Sequence, residues 1–265
     1  MKKYFAFVSG LLLLTACAQK VGQKTVVDGE ATVITWIEDK PEPTLQPHNL
    51  YPDVPDSLWI ALGLQEGVPS SMSCFLLQTE GKNILLDAGL GAPFSQLIPK
   101  LTTLDVKPEE LQLIYITHFH PDHIGGLLKD GKVVFPNAEV YINRVEAEAW
   151  QKMEGNQSVQ AKTVLDAYKQ HLHLFEAGDT LPGDVITIAA YGHTPGHTVF
   201  QKDSMLVIGD LIHGVALQFE YPEYCPLYDM DAETARESRL RILNYARENR
   251  LTMYGMHLPH PGTLQ

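Results

Sequence analysis

Four residues able to bind a metal ion crowd one short stretch: His118, His120, Asp122 and His123, in the run Thr117-His118-Phe119-His120-Pro121-Asp122-His123-Ile124-Gly125-Gly126. Neutral imidazole nitrogen and carboxylate oxygen are good ligands for zinc-like ions, at about 2 Å. The run follows the apolar stretch Leu113-Ile114-Tyr115-Ile116-Thr117, which reads as a buried strand that stops where His118 begins. On a tight loop there, His118 and His120 can point to one metal, while Asp122 and His123 face a neighbouring position. Pro121 stiffens the turn, and Gly125-Gly126 lets the backbone close in beneath the site. A merely solvated polar loop would not be expected to gather this set at the end of a buried strand.

The elements that must hold this loop read as alternating strands and helices, an α/β pattern with sheets covered by helices. Residues 25–38 alternate weakly and suggest strands. Residues 40–57 hold five prolines without a helical period and read as a surface loop, expected to cover the pocket or to make a dimer contact. Strands are expected at Ser73 to Gln78 and at Asn83 to Asp87, which leads into Ala88-Gly89-Leu90-Gly91. Helical spacing runs through Phe94 to Leu104, Arg144 to Met153, Ser158 to Gln170 and Ala232 to Asn249. Further strands fall at Glu139 to Ile142, Val185 to Ala190, Met205 to Ile208 and Thr252 to Gly255.

His-x-His-x-Asp-His after a strand resembles the signature of the metallo-β-lactamase superfamily, and the similarity extends over about residues 70–262. Asn83 to Gly91 resembles the family's strand ending in an Asp-x-Gly turn. Gly192-His193-Thr194-Pro195-Gly196-His197-Thr198 resembles its third-histidine motif. Ile208-Gly209-Asp210 resembles its bridging-carboxylate motif, and Gly255-Met256-His257 its final ligand. The resemblance implies a four-layer αβ/βα sandwich with two divalent ions, Zn(II) or another transition metal, at one edge between two β-sheets. One ion would take His118, His120 and His193. The other would take Asp122, His123 and His257, with Asp210 bridging. His197 competes with His193 and His260 with His257; the family pattern favours the first of each pair. Asp87 is expected to order the metal loop by hydrogen bonding, and His48, His171 and His173 to be surface or helix-end residues.

Two such ions about 3.5–4 Å apart hold a shared water as hydroxide near neutral pH. Asp122 would orient that nucleophile and pass its proton. His213 stands three residues after Asp210, where superfamily lactonases carry a Tyr that binds the substrate oxygen; it could donate in the same way or merely line the pocket. Gly209-Asp210-Leu211-Ile212, Ala216 to Phe219, Asp229-Met230-Asp231 and His257-Leu258-Pro259-x-Pro261-Gly262 resemble the branch that holds methyl parathion hydrolase and related lactonases. That implies hydrolysis of a lactone, ester or phosphotriester. A β-lactamase-type hydrolase, a glyoxalase II-like thioesterase and a non-catalytic metal-binding lipoprotein are the alternatives. Members of the branch continue past the Pro-Gly motif, whereas three residues follow it here, so one sheet edge or pocket wall is expected to be open.

With 265 residues and 45% apolar content the chain can bury a sizeable core. Its net charge of −12 argues against nucleic acid as a partner, since phosphate neutralisation needs a basic face. A small molecule is the expected partner. Residues 1–17 read as a signal segment: Lys2 and Lys3, an apolar stretch from Phe5 to Leu14 too short to span a bilayer, then Leu14-Thr15-Ala16-Cys17, which resembles a lipoprotein lipobox. The expectation is a cell-envelope protein held to the membrane only through lipidated Cys17, with Ala18 pointing to the outer membrane. A periplasmic protein from an ordinary cleaved signal is the alternative. Residues 18–24 would be a tether and 25–265 one domain. An oxidising compartment permits a Cys74–Cys225 disulfide, but Cys74 lies in an apolar strand and is expected to be a buried free thiol.

Overall fold

The computed structural model describes residues 22–27 and 30–265, with side chains from Thr32 onward. The signal segment and Cys17 lie outside the described residues. Of the expected tether, residues 22–24 instead belong to the strand Gly22–Val27.

Two mixed sheets form the interior. The larger runs in the order Gly22–Val27, Glu30–Glu38, Ser73–Thr79, Lys82–Leu86, Leu113–Tyr115, Glu139–Asn143, Leu172–Phe175. The smaller runs Thr180–Leu181, Val185–Ala189, Thr198–Lys202, Met205–Gly209, Thr252–Gly255, Thr263–Leu264. The strands from Lys82 to Phe175 pair in parallel, as do Met205–Gly209 and Thr252–Gly255. Parallel strands need crossovers, and helices supply several of them.

The sheets meet over Phe75, Leu77, Ile84, Leu86, Tyr115, Phe200, Val207 and Tyr254. The opposite face of the larger sheet packs Leu85, Ile114 and Ile142 against Leu97, Leu101, Trp150 and Val164 of three helices. The smaller sheet packs Leu206, Ile208 and Met253 against Ile242 and Leu243 of the helix Ala232–Glu248. Helix, sheet, sheet and helix make the four-layer αβ/βα sandwich. Each fully buried Leu, Ile or Phe in these layers contributes roughly 1.5–3 kcal/mol.

The proline-rich segment departs from the surface-loop expectation. It contains the strand Thr44–Gln46 and a turn of 3-10 helix at His48–Leu50, and the helix Asp56–Ala61 starts within it. Tyr51, Val54 and Trp59 are buried against Val68 and Leu217, so the segment packs down beside the cleft. Apolar residues too irregularly spaced to show a period are sufficient for this small satellite core. Thr263–Leu264 forms one edge of the smaller sheet and pairs with Met253 and Tyr254.

One close approach governs the loop after Tyr115. A Cβ on Gly126 would lie 2.0 Å from the Ala88 carbonyl oxygen, and one on Gly125 equally close to that of Leu90. Gly126→Ala should therefore force the two turns apart, lowering stability by on the order of 3 kcal/mol and activity with it. A thermal melt within a degree of wild type would refute this.

Candidate metal centre

One end of both sheets carries the chemistry. Leu86 leads into Asp87, Tyr115 into His118, Gly209 into Asp210 and Gly255 into His257, while His193 and His197 precede Thr198. His123 lies in the short helix Pro121–Ile124, which starts on Pro121. Among the described residues three groups of side chains offer ligand atoms within 4.8 Å of one another: the trio His193, His213 and Asp229, and two larger sets, His118, His120, His193 and Asp210 first, then Asp122, His123, Asp210 and His257. Asp210 is common to both.

In the first group His118 Nε2, His120 Nδ1 and His193 Nε2 form a triangle with sides of 3.0, 3.2 and 2.9 Å. Three ring nitrogens cannot satisfy one another at the corners of a triangle, because lone pairs must face lone pairs. Nitrogens bound tetrahedrally to one ion at 2.0–2.1 Å would stand about 3.3 Å apart, close to what is seen. In the second group His257 Nε2 lies 3.4 Å from Asp122 Oδ2 and 3.0 Å from Asp210 Oδ2. His123 Nε2 stands 3.0 Å from Asp210 Oδ1, yet both atoms are buried and neither makes a hydrogen bond. Orphaned buried polar atoms are rare and call for a partner. These donor sets therefore fit two divalent cations.

Electrostatics agree with that fit. Burial holds His118 well below the ordinary imidazole range and brings His120 down to about 2, so both rings are neutral and ready to ligate. Burial would raise Asp210, but the surrounding His123, His257 and His118 outweigh it and keep the carboxyl well below its usual range. Burial opposes protonation of His257, and Asp210 overrides it, pushing the ring up to about 9.

The two contested pairs separate in space. His197 lies behind His193 with both nitrogens engaged: Nδ1 donates to the Ala190 carbonyl at 2.9 Å, and Nε2 accepts from Asp210 N–H at 3.1 Å. His260 packs its ring edgewise on Trp36 outside both groups. His213 belongs to neither of the two larger sets, standing instead with His193 and Asp229, and lines the same cleft, 1% exposed, with no hydrogen bond to either nitrogen. Its Nε2 is 3.2 Å from Asp210 Oδ2, and burial brings its pKa down to about 4. Asp122 is partly exposed and lines the cleft as well. His48 stacks on Trp59, and His171 and His173 pair with Glu139, all away from the site. Cys74 is buried and Cys225 half-buried, both as free thiols.

The supporting residues are partly those expected. Asp87 accepts from Thr117 N at 2.8 Å and Thr117 Oγ1 at 2.7 Å, and sits 2.6 Å from His123 Nδ1. Two further buried acids carried no legible role in the sequence. Glu146 accepts from Phe119 N, Trp150 Nε1, Thr194 Oγ1 and Gly196 N at 2.6–2.9 Å, tying the two histidine loops together. Asp229 sits 2.9 Å from His193 Nδ1. Glu146 looks like any acid in an amphipathic helix. Asp229 lay in a motif noted for its resemblance, but with no chemical role attached.

His120, Asp122, His193, Asp210 and His257 of these sets line a cleft of about 520 Å³, a size suited to a small molecule, with His118 and His123 buried behind them. Leu227, Tyr228 and Met230 line it and are substantially exposed; Lys40, Thr44, Gln46 and Ser70 line it too.

A family model described as the metallo-beta-lactamase superfamily matches residues 67–257. Among curated proteins, an N-acyl homoserine lactonase of Bacillus cereus is 26% identical over 199 residues, 64% of this chain and 74% of the relative. For other curated relatives the chain spans 61% or 41% of their length. Among solved structures, that of hydrolase AbOPH in the beta lactamase superfamily aligns with a TM-score of 0.79 and 27% identity, covering 91% of each chain. AidC, a dizinc quorum-quenching lactonase in complex with a product, aligns with a TM-score of 0.81 and 23% identity over 91% of this chain and 92% of that one, a likeness of fold.

Proposed function

We propose a function for this chain from one premise: it belongs to the metallo-beta-lactamase superfamily. The chain acts as a metal-dependent hydrolase of a small lactone, ester or phosphotriester, nearest to the branch of methyl parathion hydrolase and the lactonases. The observation that carries this reading is Asp210, shared by two ligand sets on the floor of one cleft. A lactonase relative and the fold of a dizinc lactonase support the substrate class and the two-ion state.

His118, His120 and His193 would hold one ion, Asp122, His123 and His257 the other, with Asp210 between them. When bound, two such ions supply Lewis acidity for the substrate oxygen and bring water towards ionisation at neutral pH. Asp122 faces the cleft, where its carboxylate can accept a proton from the attacking water and return it to the leaving oxygen. His213 is neutral and its nitrogens are free, so one N–H can donate to the oxygen on which charge develops. His213→Phe keeps a planar aromatic ring, somewhat larger than imidazole, and removes the donor. It should lower kcat/KM roughly 100-fold while bound metal stays at the wild-type level; an unchanged kcat/KM would remove His213 from the mechanism.

Metal analysis of the purified chain, with turnover assays on an acyl-homoserine lactone, an aryl ester, a phosphotriester, a thioester and a cephalosporin, tests the whole reading. The expected result is two divalent ions per chain and turnover of a lactone, aryl ester or phosphotriester, abolished by chelation. Turnover confined to the thioester or the cephalosporin would favour the corresponding alternative, and metal-free protein inert on the panel would sink the proposal.

We also propose that Cys17 is lipidated and tethers the domain to the cell envelope, from the charged start, short apolar stretch and Leu14-Thr15-Ala16-Cys17. Cys17→Ala should move the protein from the membrane to the soluble fraction; unchanged partitioning would refute the anchor.

A further inference from the structure

His193 differs from the other candidate ligands of the first group in what lies behind it. His118 Nδ1 meets the Thr117 hydroxyl at 3.0 Å. His193 Nδ1 meets a carboxylate, Asp229 Oδ1, at 2.9 Å. The second oxygen of Asp229 accepts from Arg239 Nη2, also at 2.9 Å. The Arg239 and Asp229 side chains are 1% and 0% exposed. Arg239 is itself fixed, donating from Nε to the Leu211 carbonyl at 2.7 Å and from Nη1 to that of Pro222 at 2.9 Å.

This chain of contacts has a chemical direction. A guanidinium keeps its proton, so the carboxylate beside it stays ionised and can only accept. His193 Nδ1 must then carry the hydrogen, which leaves the Nε2 lone pair aimed at His118 and His120. The backbone repeats the link: Met230 N donates to the His193 carbonyl at 3.1 Å and Asp231 N to the Gly192 carbonyl at 2.9 Å. The residues flanking Asp229 are Tyr228 and Met230, which line the cleft. Asp87 backs His123 in the second group, but its other contacts are a hydroxyl and an amide of Thr117 rather than a cation.

We propose that Asp229, clamped by Arg239, is a positioning residue that fixes the tautomer and aim of His193 and ties the three-histidine metal position to the cleft wall at 227–230. The inference rests on the two-metal reading. It makes the helix Ala232–Glu248, which holds no ligand, a determinant of metal affinity through Arg239.

Two measurements on the full chain test it. In metal-free, ¹⁵N-histidine-labelled wild type, at a pH where the ring is neutral, long-range ¹H–¹⁵N spectra should show the His193 proton on Nδ1; a neutral ring with its proton on Nε2 overturns the proposal without any variant. Zinc titration against a chromophoric chelator should then show two tight positions in wild type. In Asp229→Asn one of them should weaken by about 10–100-fold, with a changed visible spectrum for the first equivalent of Co(II). Two wild-type affinities in Asp229→Asn overturn the inference alone. Wild type that takes up no zinc overturns the metal reading and the inference with it. Should Asp229→Asn fail to fold, the wild-type spectrum still decides.

Discussion

Asp210→Ala should abolish hydrolysis, with kcat/KM falling by at least about 10³-fold and bound metal dropping from two ions to one or none. Among the described residues Asp210 is the one carboxylate common to the two larger ligand sets. Its two oxygens lie 3.0–3.7 Å from nitrogens of His118, His123, His193, His213 and His257. On the proposed two-ion reading, removing it would take one shared ligand from both cations and leave five imidazoles without the carboxylate between them. Asp210→Asn separates shape from charge: the amide keeps the size but cannot neutralise two ions, so activity should fall nearly as far. Steady-state kinetics with metal analysis on both variants is the measurement. An Asp210→Ala protein within tenfold of wild type and still holding two ions would refute the shared-ligand role.

Glu146→Ala should be among the most destabilising single changes, at roughly 3–5 kcal/mol, because four donors lose their buried acceptor together. Burial pushes the Glu146 carboxyl up, and the four donors pull it back. For a domain of this size the loss corresponds to a melting-temperature drop of about 6–20 °C. The exposed neighbour Glu148 is the control, and its replacement by Ala should stay within about 0.5 kcal/mol. The site should suffer along with the fold, since Phe119 sits between His118 and His120 while Thr194 and Gly196 flank the His193 loop. A Glu146→Ala protein that melts with wild type would mean that water replaces the carboxylate without cost.

The sequence was most legible where chemistry and local geometry coincide. His118, His120, Asp122 and His123 announce themselves because a strand end delivers them within one turn of chain. The strands that feed the centre were legible from apolar runs, since a strand buried on both faces needs them. The edge elements were less so. Thr198–Lys202 was not anticipated, because its first residue belongs to the histidine motif and its run is too short to show a period. The helix Asp56–Ala61 was hidden by the prolines before it.

By itself the sequence determined the α/β order and offered the donor inventory, with His193, Asp210 and His257 as the remote partners that motif resemblance implies. Only the tertiary structure shows that His193 and His257 fall within the ligand sets while His197 and His260 lie outside them, and which acids stand behind. The reason is physical. Ligand identity is a property of a side chain, whereas the roles of His197, Glu146, Asp229 and Arg239 come from hydrogen bonds across 10 to 50 residues of chain, which exist only once both sheets have packed.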